Sequence, residues 1–163
     1  MGGPDITTIP DPGAFNGPGI GALDYDSEEN VLWAAVYQPI NGESLFYKLD
    51  PSDGSILKTC SLPFQGGGVG NDTLAVARPA DLGGTKVLLT DAGEVLSTLF
   101  AIDITTCSVL KSYNLPVGVT GIDEDDNTGD LIVTNHWCPV KNPTIVKKPN
   151  ILAVFLRKYA ATI

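Results

Sequence analysis

Apolar and polar positions along this chain fall into short blocks, and the order of the blocks recurs. Residues 22–25 form a short block that runs into an acidic turn, Asp26-Ser27-Glu28-Glu29-Asn30. Residues 31–37, Val-Leu-Trp-Ala-Ala-Val-Tyr, are an apolar run of β-sheet type. A Gln-Pro-Ile-Asn-Gly loop leads into 44–49, a turn over 50–54 follows, and 55–62 complete the series. Val, Ile, Tyr and Phe suit a pleated, half-buried surface, while Asp, Asn, Gly and Pro punctuate it. The series predicts four strands. It returns at 74–77, 86–90, 96–103 and 108–115, and again at 119–123, 130–135 and 151–159. No stretch joins helical periodicity to helix caps. Residues 151–161 admit a helical reading, but alignment with the third strand of the other units makes them strand.

The recurrence has a fixed spacing. Leu49-Asp50-Pro51-Ser52-Asp53-Gly54-Ser55-Ile56-Leu57-Lys58 aligns without gaps on Ile102-Asp103-Ile104-Thr105-Thr106-Cys107-Ser108-Val109-Leu110-Lys111, at an offset of 53 residues. The same offset relates Ile9-Pro10, Leu62-Pro63 and Leu115-Pro116, and it carries Ala22-Leu23 onto Ala75-Val76. Three such periods nearly fill the 163 residues. The expectation is therefore one all-β domain over 1–163, with units at about 11–63, 64–116 and 117–163 plus 5–10. Four antiparallel strands at a near-fixed period describe the blade of a β-propeller.

Two segments carry a family resemblance. Phe46-Tyr47-Lys48-Leu49-Asp50-Pro51-Ser52-Asp53-Gly54-Ser55-Ile56-Leu57 resembles the hLDPxTGxhh turn of YVTN, quinoprotein-like and NHL-type propellers. Asp125-Asp126-Asn127-Thr128-Gly129-Asp130-Leu131-Ile132-Val133-Thr134 resembles their first hairpin, DxxxGxLhVT. The resemblance implies an architecture and leaves function open. Cys107 stands where the second turn should have Gly, and Cys tolerates positive φ poorly. The second turn is therefore expected to differ from the first.

Read this way, the chain runs d, abcd, abcd, abc. About three blades are too few to close a ring, which takes roughly four to eight. Two arrangements would complete one. Two copies can assemble into six blades as a homodimer, each lending its N-terminal strand (5–10) to the other's last sheet. Alternatively, the chain is part of a longer propeller.

Charge narrows the partners. The net charge is −9, which repels phosphate backbones, so no nucleic acid is expected. No apolar run approaches the ~20 residues of a membrane span. The three cysteines, Cys60, Cys107 and Cys138, allow at most one internal disulfide and leave its pairing open. Low Lys content and the resemblance together lean toward an extracytoplasmic setting.

By the resemblance, the d–a and b–c loops surround an axial channel where ligands bind. His136, the sole histidine, lies in Asn135-His136-Trp137-Cys138 on such a loop. It is a candidate general base or metal ligand, and Trp137 a stacking surface. Asn71 and Asp72 follow a glycine-rich loop, as an Asn-Asp pair does at the divalent metal site of gluconolactonase-type propellers. Asp91 would add a carboxylate. The glycines open no phosphate loop, since no GK[ST] follows. Residues 123–130 resemble a calcium loop, which makes Asp123 and Asp125 metal candidates. Its Gly falls one place late and no Glu fills the twelfth position, so a solvated acidic hairpin is the preferred reading.

The expected function is a non-catalytic propeller module that binds a ligand or partner or assembles with itself, with no cofactor. The alternative is a lactonase-like hydrolase or lyase using Ca²⁺ or Mg²⁺ at the channel face.

Overall fold

The structure is a computed structural model that describes residues 19–37, 42–63, 73–92, 98–115, 119–124, 131–134, 147–148 and 151–153. Strand is by far the main element among the described residues, as the block pattern requires. The first sheet is β1 (Ile20–Asp26), β2 (Val31–Val36), β3 (Glu43–Leu49) and β4 (Ile56–Pro63) in that order, every pair antiparallel. The second repeats the plan with β5 (Leu74–Ala77), β6 (Val87–Ala92), β7 (Thr98–Asp103) and β8 (Val109–Asn114). The third contains β9 (Gly121–Glu124), β10 (Leu131–Thr134), β11 (Lys147–Lys148) and β12 (Ile151–Ala153), in the order β11-β12-β10-β9. A single 3₁₀ turn, Ala80–Leu82, is the one helical element among the described residues. No helix there is long and apolar enough to cross a membrane.

The third sheet departs from expectation in two ways. β12 lies beside β10 as the alignment of 151–159 requires, but it runs parallel to it, pairing Leu131 with Ile151 and Val133 with Ala153. The reason is the extra strand β11. It forms a hairpin with β12 and turns the chain round before it meets β10. β11 also occupies the fourth place in the sheet. The vacancy that a second copy's N-terminal strand was expected to fill is thus taken by the chain itself. Residues 5–10 and 154–159 lie outside the described residues.

The hairpins β3–β4 and β7–β8 match in detail. In both, the register slips at equivalent places, Lys48/Leu49 and Ala101/Ile102. An aspartate opens each turn. The Asp50 carboxylate accepts the Ser52 N–H (2.8 Å), and the Asp103 carboxylate accepts those of Thr105 (2.6 Å) and Thr106 (2.8 Å). The turns close through Gly54 N–H to the Asp50 carbonyl and Cys107 N–H to the Asp103 carbonyl, both 2.8 Å. Gly54 has φ +74° and Cys107 φ +59°. The second turn therefore does not differ, contrary to the expectation from its sequence. Cys107 adopts the left-handed conformation at a cost of about 1–2 kcal/mol, and its disulfide to Cys60 restrains it there.

The inner strands keep a different spacing. By register, Tyr25 corresponds to Val76 (51 residues) and Leu32 to Leu88 (56 residues), while Lys48 corresponds to Ala101 (53 residues). The match of Ala22-Leu23 to Ala75-Val76 is thus two residues out. The longer β5–β6 connection, which holds the 3₁₀ turn, absorbs the difference.

Packing explains the unbroken apolar runs. Val31, Trp33, Ala35, Phe46 and Cys60 of the first sheet meet Leu74, Leu88 and Ile102 of the second. From the opposite face of the second sheet, Ala75, Val87, Leu89, Leu99 and Ala101 meet Leu131 of the third. Neighbours Leu88 and Leu89 are both fully buried but on different sides. A strand buried on both faces has no polar side to show. The first sheet carries apolar residues on its far face too, with Ala34, Val36, Tyr47 and Leu49 buried there. Along the inner edge, β5 lies against both β1 and β9.

Candidate functional site

Of the residues singled out in the sequence, Asn71, Asp72, Asp125, Asn135, His136 and Trp137 lie outside the described residues, as does Cys138. Asp91 is described, and it is 1% exposed. Its carboxylate accepts the Thr73 hydroxyl at 2.7 Å, and the Thr90 hydroxyl donates to the Thr73 carbonyl at 2.9 Å. Thr73 directly follows Asn71-Asp72 in the chain. Asp123, on β9, lines a cleft near the start of β6. Asp91 is four residues further along β6, about 13 Å at strand rise. The two metal candidates among the described residues therefore lie toward opposite ends of β6. Among the described residues, no three His, Cys, Asp or Glu side chains are grouped to hold a metal ion.

The cleft itself was not read from the sequence. It has a volume of about 280 Å³ and opens where the inner strands of the three sheets meet. Asp24, Asp26 and Glu28 reach it from the first sheet, Arg78 and Lys86 from the second, and Glu124 from the third.

Each charge has a local reason for its position. Asp26 ends β1 and nucleates the turn, accepting the N–H groups of Glu28 (3.1 Å) and Glu29 (3.3 Å). Asn30 finishes that turn at φ +53°, a conformation Asn tolerates better than most residues. Lys86 precedes β6, so its side chain reaches back across the seam. Its Nζ lies 2.7 and 3.0 Å from the Asp26 oxygens, 2.9 Å from Glu28 Oε2 and 3.4 Å from Glu29 Oε1. Glu29 is also bound by Lys48. Arg78 grips Glu28 through Nη2 (2.6 Å) and Nε (3.3 Å), and donates from Nη1 to the Gly84 carbonyl (3.0 Å).

Two further carboxylates hold backbone. β5 is an edge strand of its sheet, so alternate N–H groups face outward. Asp24 of the first sheet accepts the Val76 N–H (2.7 Å), and Glu124 of the third accepts the Arg78 N–H (2.7 Å). Neighbouring sheets thus cap the open edge of β5, which would otherwise invite strand addition.

The electrostatics follow from these contacts. The hydrogen bond from Arg78, then that from Lys86, lowers the Glu28 pKa to about 2. The Lys48 hydrogen bond holds Glu29 below the usual carboxylate range. Burial pulls Lys86 down, but its hydrogen bonds to Asp26 and Glu28 outweigh this and raise it. Glu28 in turn raises Arg78. Glu28 and Glu29 stay ionised and both cations stay charged across the physiological range. These groups neither give nor take a proton there. Chemically the cluster is a clamp between sheets.

No family model matches this chain, and no curated protein matches it.

Proposed function

We propose that the chain is a β-propeller-type module of about three blades that works by binding, in the first place to a second copy of itself, and not by catalysis. Three stacked four-stranded sheets with β1, β5 and β9 gathered on one edge support the propeller part of this reading. So do the Leu49-Asp50-Pro51 turn and the Asp130-Leu131-Ile132-Val133-Thr134 segment, through their resemblance to YVTN, quinoprotein-like and NHL-type repeats.

The observation that carries the binding part is the far face of the first sheet. Register aligns Leu23, Ala34 and Tyr47 in one row and Tyr25, Leu32 and Leu49 in the next. Ala34, Tyr47 and Leu49 are buried, yet Leu23 is 56% and Tyr25 49% exposed. Apolar rows that run from buried to open surface suit a contact face. A second copy covers it in a homodimer; the remaining blades would cover it if the chain belongs to a longer propeller. The Cys60–Cys107 disulfide favours an oxidising, extracytoplasmic setting.

Light scattering at micromolar concentration tests this. A two-chain species is expected, and Leu23→Asp with Tyr25→Asp should return it to one chain with an unchanged far-UV spectrum. A monodisperse single chain in the unaltered protein would overturn self-assembly.

A second reading, a lactonase-like hydrolase or lyase with a divalent metal, draws on Asp91, buried against Thr73 immediately after Asn71-Asp72. Calorimetric titration with Ca²⁺, Mg²⁺ and Zn²⁺ separates the two. Micromolar binding that disappears in Asp72→Ala or His136→Ala supports the enzyme, and absence of heat removes it.

A further inference from the structure

The seam between the first two sheets is fastened at both edges, by different chemistry. At the inner edge the ties are ionic and hydrogen-bonded: Asp24 to the Val76 N–H, and Asp26 and Glu28 to Lys86 and Arg78. At the outer edge β4 grips the turn between β7 and β8. Lys58 and Cys60 are two residues apart and so share a face of β4. Lys58 Nζ donates to the carbonyls of Ile104 (2.9 Å) and Thr105 (2.6 Å), and Cys60 is bonded to Cys107, with Cα atoms 5.3 Å apart.

The equivalent positions on β8 behave otherwise. Lys111 and Tyr113 both turn to Asp81, at 2.5 and 2.9 Å. Among the described residues the covalent fastening is therefore peculiar to the first seam. It also ends on a turn residue in the left-handed conformation. Gly54 holds the matching place in β3–β4 without restraint, whereas Cys107 sits at φ +59° against its own steric preference.

We propose that the Cys60–Cys107 bond is a redox latch, whose two-electron reduction by a dithiol frees the 103–108 turn from β4 and opens the outer edge of the seam while the inner edge stays closed. Cys60 is fully buried and Cys107 half-buried, so attack falls on Cys107. A thiolate of the reductant bonds to Cys107 Sγ as the S–S bond breaks, and Cys60 leaves as thiolate and takes a proton. The second thiol of the reductant then displaces Cys107. The products are two protein thiols and the reductant's own disulfide, so the electrons balance. Once the bond is cut, the left-handed conformation loses its restraint, and the turn relaxes.

Hydrogen exchange on the full chain tests the latch. The Asp103 and Cys107 amides are both hydrogen-bonded within the turn. Release of a conformation worth about 1–2 kcal/mol corresponds to exchange faster by roughly 5- to 30-fold after reduction. The Leu88 and Leu89 amides, deep in β6, report global opening and should remain much slower than the turn amides in the reduced protein, since the turn opens locally. Cys60→Ala/Cys107→Gly should keep the turn protected without any disulfide, and Cys60→Ala/Cys107→Ala should resemble the reduced protein. Unchanged protection at Asp103 and Cys107 on reduction overturns the proposal. Turn amides that exchange no faster than Leu88 and Leu89 in the reduced protein also overturn it, because opening would then be global and the bond only a staple for the whole fold. So does a Gly variant as open as the Ala variant.

Discussion

Lys86→Ala is expected to lower the unfolding free energy by about 3–5 kcal/mol, the range for removing one partner of a buried ion pair. The Lys86 side chain is 10% exposed and that of Asp26 2%. Without Lys86, the Asp26 carboxylate keeps only the N–H groups of Glu28 and Glu29 and no counter-charge of its own. The seam also loses the ties to Glu28 and Glu29. Two comparisons isolate the cause. Lys48→Ala removes a more open pair, with side chains 21% and 38% exposed, and should cost under about 1 kcal/mol. Lys86→Met with Asp26→Leu removes both charges and should recover most of the loss. Urea unfolding reads all three. A Lys86→Ala loss below about 1 kcal/mol would show that the pair is solvated and that the clamp is not structural.

The same network sets the acid limb. The Glu28 pKa is lowered from 4.5 to about 2, and that of Glu29 is also lowered. Depressed carboxylates contribute stability that is complete above the unfolded value and lost as pH falls through the folded one. The urea midpoint should therefore be flat above about pH 5 and decline from there toward pH 2. In Lys86→Ala the decline should be shallower, because Glu28 and Glu29 have each lost a cation.

The strands were legible in the sequence because their signals are local. Residues 74–77 match β5 to the residue, and 31–37 differ from β2 by one. The turn chemistry of Asp50 and Asp103 was equally plain, since each aspartate acts on amides two or three residues away. What failed depended on distant partners. Cys107 looked unfit for its turn because its restraint comes from Cys60, 47 residues earlier. The offset that links the outer strands misplaced Ala22-Leu23 because a connection of different length adjusts the inner pair. β12 was found but given the wrong direction, since β11 is only two residues long and carries no pattern of its own. The cleft escaped notice for the same reason. Asp24 and Asp26 interrupt an apolar block on the face that meets the second sheet, and that was the available clue. Their partners Val76 and Lys86 lie 52 and 60 residues away. The burial of Asp91 against Thr73 likewise rests on a partner 18 residues away.

Cys60→Ala/Cys107→Ala is expected to cost about 4 kcal/mol of stability under oxidising conditions. The bond spans 47 residues, and the loop entropy it removes from the unfolded chain amounts to about 4 kcal/mol at this length. For a chain of this size that lowers the melting temperature by about 8–16 °C. Cys60→Ala/Cys107→Gly should lose about 1 kcal/mol less, because Gly occupies the left-handed position without steric cost. Scanning calorimetry with and without a dithiol separates the contributions. The unaltered protein should fall to the level of the Ala variant when reduced, and neither variant should respond to the dithiol. If the Gly and Ala variants melt together, the turn relaxes freely once the cross-link is gone, and Cys107 carries no backbone cost. If the reduced protein melts where the oxidised one does, the loop is already closed in the unfolded chain and the entropy argument fails. With an ordinary stability of about 5–15 kcal/mol, a chain that loses 4 keeps its fold. The first seam then depends on the inner ionic edge alone, so Lys86→Ala should cost more in the reduced protein than in the oxidised one.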